Sequence, residues 1–257
     1  MQVNVPAARL EIIERVATHA ATHSAKRLAV PASALVHAYY RGVGEEDLAA
    51  RSTDYLWALA QAHLAAGSAR APGAPLVRVF NPDPVADGFA SPHTLVLVVT
   101  DDMPFLVDSV GLVVSQCGLA THFIVHPILS VRRDARGRLL GLPDGAESTT
   151  ATQESWQLFE VDRETDPARL EALRLKLLDT LDDVRCATSD WMEMRRRARA
   201  ITAELEAKPP RLAAGQVDEA RALLEFMEDN HFTFLGYREY RLRRGATADL
   251  LEPVAAT

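Results

Sequence analysis

Cysteine is nearly absent from this sequence. Cys117 and Cys186 are the only two, and no CxxC spacing joins them. That leaves no disulfide framework and fits a reducing compartment. Long apolar runs are missing as well: no window approaches the roughly 18 residues of a membrane span. The start, MQVNVPAARLEIIERVATHA, carries acids and lacks the apolar stretch of a secretory signal. Positive charge is also in deficit. Lys and Arg number 28 against 35 Asp and Glu, a formal charge of -7 over 257 residues. This balance argues against a nucleic-acid partner. The densest basic stretch, MRRRARA around Arg195–Arg199, is short and flanked by acids, as a solvated helix face would be. A cytoplasmic chain with no nucleic-acid or membrane partner is the expectation.

Motifs for catalysis and cofactors are equally scarce. No GxxxxGK[ST], no GxSxG and no triad order occurs. RGVGEED holds Gly42 and Gly44 but no third glycine and no preceding strand, and Glu45 and Glu46 would repel a pyrophosphate. His19 and His23 in HAATH have helical i, i+4 spacing, yet Ala20 stands where a zinc protease needs glutamate. His122 and His126 are also four apart, on a segment that alternates like a strand. At about 3.3 Å per residue that is roughly 13 Å, too far to share one ion. Ser109 beside Asp108 has no base near it in sequence, and both read as an exposed helix edge. The expectation is therefore no catalytic residue, no metal and no cofactor in this chain.

The residues present describe an α+β fold. Hydrophobic content of 48% and charged content of 25% support a packed core. Residues 1–66 read as a helical segment, with Leu10, Ile13 and Val16 at helical spacing and Ser52 or Thr53 as a cap. The small, Gly- and Pro-bearing stretch over 67–75 reads as a linker. From 76 to 190 strands and helices alternate. TLVLVV suits a buried strand, and Leu106, Val110, Val113 and Cys117 form a helical stripe ended by Gly118. The segment LATHFIVHPILSVRR alternates as one strand with Pro127 inside it, and RDARGR offers a turn. ESWQLFEVDR is the next strand. Asp166 and Pro167 open a helix with Leu170, Leu173, Leu177 and Leu181 inward, and VRCAT reads as a fourth strand. That order predicts a ferredoxin-like βαββαβ sheet with two helices on one face. Its other face would be open, and His122, Ile124, His126 and Ile128 on it would be an interface. Residues 191–257 read as connecting helices and a strand, HFTFLGYREYRL, with no partner apparent, hence as the start of a truncated module.

One corner of this plan carries paired acids, in VTDDMPFLVDSV. Asp102 or Met103 can cap the following helix with Pro104 in its first turn. Capping is the default explanation for Asp101 and Asp102. The alternative is a small-molecule site made of Asp101, Asp102, Met103, Pro104 and Phe105: an amino acid's carboxylate would meet free helix amides and its ammonium the two acids.

Four stretches in order carry a resemblance: HTLVLVVTDDMPFLVDSV, IVHPILSVRRDARGRLLG, ESWQLFEVDR and DNHFTFLGYREYRL. Together they resemble the N-terminal region of the large bacterial NAD-specific glutamate dehydrogenases. The resemblance implies ACT-like regulatory or assembly modules, the first over about 90–190. It also implies a parent enzyme whose NAD-binding catalytic domain lies C-terminal to these motifs, an amino-acid effector and a homo-oligomer. ACT modules commonly bind amino acids at a D-x-P-G-L-like corner. Asp102, Pro104 and Leu106 match it, whereas Phe105 takes the glycine position.

Overall fold

The computed structural model describes residues 7–24, 29–143, 151–212, 214–245 and 248–254. The polar stretch PDGAESTTATQ, 143–153, which reads as a loop, lies largely outside the described residues. The chain divides into two compact units, Met1–Val184 and Arg185–Thr257.

Four helices open the first unit: α1 (Ala7–His23), α2 (Ala32–Tyr40), α3 (Glu45–Ala49) and α4 (Thr53–Gly67). Ser52 caps α4, its Oγ accepting from the Tyr55 N–H at 3.2 Å. Each longer helix buries one stripe, such as Ile12, Val16 and Ala20 on α1 or Leu56, Leu59 and Ala60 on α4. The sheet follows. β1 (Leu76–Phe80) pairs antiparallel with β2 (Thr94–Asp101), and β2 pairs with β6 (Thr152–Val161). The far edge of β6 carries β3 (Thr121–Val125) and β4 (Ile128–Arg133), and β5 (Leu139–Gly141) pairs with β4. Pro127, which cannot donate to a ladder, divides the single strand expected there into β3 and β4. Its carbonyl still accepts from the Trp156 N–H at 3.0 Å.

Both faces of this sheet are covered. Leu95, Leu97 and Val99 pack with Trp156 and Leu158 against the N-terminal helices. Val96, Val98, Phe159 and Val161 pack against α5 (Leu106–Gln116) and α6 (Pro167–Thr188). Cover on two sides is why β2 is apolar without alternation. It also corrects the expectation of an open face. Of the residues expected on it, Ile124, His126 and Ile128 stand on the α5 side, and the opposite face is the one closed by α1–α4. The stretch expected as a linker is fastened down too: Arg70 is buried, Ala69 bridges to Arg138, and a Cβ on Gly67 would stand 2.3 Å from the Trp156 ring.

VRCAT is not a fourth strand. Val184 extends the Leu173, Leu177, Leu181 stripe, so the segment continues α6 as helix. The edge beside β2 is taken by β1, which precedes the first strand of the expected plan. Asp166 does start α6, its Oδ1 accepting from the Ala168 N–H at 2.9 Å.

In the second unit α7 (Trp191–Ala207) and α8 (Ala214–Phe226) lead through a π-helical turn to a hairpin of β7 (Tyr240–Arg243) and β8 (Leu250–Pro253). The strand expected to lack a partner is thus shorter, and it pairs with LLEP. Among the described residues no helix is long and apolar enough to cross a membrane.

Candidate functional site

Strand geometry separates the two adjacent acids. Asp101 stands opposite Glu154, and its carboxylate accepts from Arg70 Nη2 at 2.5 Å. Glu154 is fully buried and takes Arg70 Nη2 at 2.7 Å, Arg133 Nε at 2.7 Å and Trp156 Nε1 at 3.1 Å. Burial alone would raise the Glu154 carboxyl, but the two guanidiniums outweigh it and hold it below the usual carboxylate range. Glu160 is buried on the same face of β6, bound by Arg51 Nη2 at 2.8 Å and Tyr55 Oη at 2.7 Å. These carboxylates fasten the N-terminal layer to the sheet. Asp101 belongs to that fastening.

Asp102 lies on the opposite face, the α5 side. Its N–H donates to the Gln153 carbonyl at 3.0 Å, which carries the ladder one residue past β2. Desolvation raises its carboxyl, and a hydrogen bond from the Met103 N–H works against that rise. The expected cap at Asp102 or Met103 does not form. The helix begins at Leu106, with Phe105 in the N-cap place at φ 69° and no side-chain cap. A left-handed residue is needed to turn the chain sharply from β2 into α5, which is the work glycine does at such corners. The N–H groups of the first α5 turn therefore have no capping side chain.

A groove of about 260 Å³ opens there, lined by Asp102, Met103, Phe105, Leu106, Val107, Asp108, His126, Ile128 and Ser155. Ser155 pairs in register with both Thr100 and Ile128, so the groove crosses the ends of β2, β6 and β4. Ser155 is buried, and its Oγ accepts from Gln157 Nε2 at 3.1 Å. Gln157 Oε1 is buried with no donor. Flipping the amide moves the vacancy to the nitrogen, so this polar pair stays one partner short either way.

The structure thus gathers Asp102, Met103, Phe105, His126 and Ile128 of the expected residues. Pro104 is exposed in the turn outside the lining, and Ile124 lines a neighbouring cavity. His122 lies elsewhere, with Nε2 2.7 Å from Asp162 Oδ1 and its ring stacked on His93 at 4.4 Å. Sequence reasoning missed Val107, Asp108 and Ser155 as lining residues. The signal for Ser155 was a small polar residue on the same face of β6 as Phe159 and Val161. Among the described residues no group of three His, Cys, Asp or Glu side chains could hold a metal ion.

Comparisons with known proteins give the chain's relatives. The family model described as "Glutamate dehydrogenase, ACT1 domain" matches residues 35–177. The chain is 37% identical over 254 residues to the NAD-specific glutamate dehydrogenase of Halomonas elongata, which covers 96% of this chain and 15% of that protein. It is 40% identical over 167 residues to the NAD-specific glutamate dehydrogenase of Pseudomonas aeruginosa, covering 65% of this chain and 10% of that one. The enzyme of the same name from Mycobacterium tuberculosis is 28% identical over 190 residues, 73% of this chain and 12% of that protein. The chain therefore spans no more than about 15% of the length of these relatives.

Proposed function

The chain belongs to the glutamate dehydrogenase ACT1 domain family, and from that premise we propose that it is a non-catalytic regulatory part of a longer NAD-dependent enzyme. The parent reaction would be oxidative deamination of L-glutamate to 2-oxoglutarate and ammonium. At the β2-to-α5 corner NAD has no fitting cradle: Asp102 and Asp108 stand there instead of glycines, and both acids would repel a pyrophosphate. We assign NAD to the remaining domains of the parent, which are also this chain's partners.

Within that role the groove supports binding of a small amino acid. One observation carries this: an uncapped helix start, the Asp102 carboxylate and the buried Ser155 hydroxyl meet in one amino-acid-sized groove. A ligand carboxylate would face the α5 N–H groups and Ser155, and its ammonium would face Asp102. Thermal-shift screening of the chain against the twenty amino acids tests it. At least one should raise the melting temperature by several degrees, and Asp102→Asn should abolish that rise. No shift with any of them, with the chain folded, refutes the reading.

A second reading is assembly, through contact with other domains or a second copy, using His122, Ile124, His126 and Ile128. Exposure of Phe105 and Ile128 in the groove lining, and of Leu112 on α5, favours it. Sedimentation compares the wild type with Ile128→Glu, and a monomer in both cases counts against assembly.

A further inference from the structure

Beside the groove lies a second cavity of about 160 Å³, and the two share Val107 and His126. Their chemistry differs. The groove carries Asp102, Asp108 and Ser155, whereas the cavity is lined by Val43, Val107, Ile124, Pro127 and Tyr39. The Tyr39 hydroxyl is already engaged there. Nε2 of His63 donates to the Val98 carbonyl at 3.2 Å, so Nδ1 is the acceptor and Tyr39 donates to it at 2.7 Å. No Lys or Arg lines either space among the described residues. An apolar cavity of about 150 Å³ is large enough to hold a benzene ring.

We propose that this cavity receives the side chain of the bound amino acid, and that the effector is an amino acid with an apolar chain of leucine or phenylalanine size. This inference rests on the amino-acid reading of the groove. Its consequence is that glutamate is refused. A side-chain carboxylate placed among Val43, Val107 and Ile124 would lose water and find no Lys or Arg, with Asp102 and Asp108 nearby. The site then reports on a different amino acid from the proposed substrate. An apolar pocket discriminates sharply against charge and only modestly between hydrocarbons, so leucine, isoleucine and phenylalanine should bind within about tenfold of one another.

Isothermal titration calorimetry of the 257-residue chain with L-leucine, L-phenylalanine, L-alanine and L-glutamate tests the proposal. Leucine or phenylalanine should bind at least tenfold more tightly than alanine and glutamate. Ile124→Phe, which fills the cavity from a residue outside the groove lining, should weaken leucine at least tenfold and leave alanine unchanged, with the melting curve as the check on folding. Alanine or glutamate binding as tightly as leucine overturns the proposal and leaves the amino-acid reading intact. Absence of binding by every amino acid overturns both. The wild-type comparison decides the matter even where the variant does not fold.

Discussion

Phe105 holds a left-handed backbone at φ 69° with its ring nearly half exposed. Such a conformation costs a residue with a side chain about 1–2 kcal/mol, and a β-branched one more. Phe105→Gly is therefore expected to change unfolding free energy by less than about 1 kcal/mol, relief of strain offsetting the freer unfolded chain. Phe105→Val should lose about 1–2 kcal/mol beyond that. Urea melts of both variants check it, and equal losses would mean that ring contacts outweigh the backbone. The sequence showed that Phe105 departs from a glycine position. It did not show the sign of φ, because no local pattern puts phenylalanine in that region. His63 is a second residue whose environment was hidden. It is fully buried between Tyr39 and Val98, and burial, the larger influence, lowers its pKa from 6.5 to about 3. The neutral ring is favoured in the folded state, so its contribution is complete above pH 6.5 and is lost as pH falls toward 3. Stability should drop by about 1.4 kcal/mol per pH unit below about 6.5 on account of this group. Urea melts at pH 7, 6 and 5 should show that slope, reduced in His63→Gln.

At the scale of elements, β6 is the strand on which the first unit is built. It was legible as a strand in ESWQLFEVDR, as were the stripes of α5 and α6 and the start of α6 at Asp166 and Pro167. The function of its acids was not. Nothing local to Glu154 and Glu160 revealed it, because Arg70 and Arg51, which bind them, lie 84 and 109 residues away and Arg133 reaches Glu154 from another strand. The pairing of β1 with β2 across their irregular connection was not legible either, and a five-residue window could not tell VRCAT as strand from VRCAT as the last turn of α6. Glu154→Gln tests the fastening. It removes the charge between Arg70 and Arg133 in a site closed to water, and breaking a buried pair in this way costs about 3–5 kcal/mol. The expected result is a loss of that order in guanidinium unfolding at pH 7. A loss under about 1 kcal/mol would show that Asp101 alone suffices to balance Arg70.

For the first unit as a whole, the sequence suggested helices, then a linker, then a separate sheet domain, and the core argues otherwise. Leu95, Leu97, Val99, Phe123, Val125, Trp156 and Leu158 share one cluster with residues of α1, α2 and α4. The Gly- and Pro-bearing stretch looked like a linker because its composition is that of one. Composition does not reveal that Gly67 is small so that the Trp156 ring can close on it, or that Arg70 serves as the counter-ion of Glu154. Removing residues 1–75 would bare a contiguous apolar face far larger than a soluble monomer tolerates, and it would also leave Glu154 and Glu160 short of Arg70 and Arg51. The piece 76–184 is therefore expected to aggregate or to bind a hydrophobic dye without a cooperative melt, whereas 1–184 should melt in one transition. Size-exclusion chromatography and calorimetry of the two pieces distinguish these outcomes. A soluble, monomeric 76–184 with a sharp transition would show that the sheet and its two helices stand alone. In that case the helical layer would be a cover on the sheet and not part of its core.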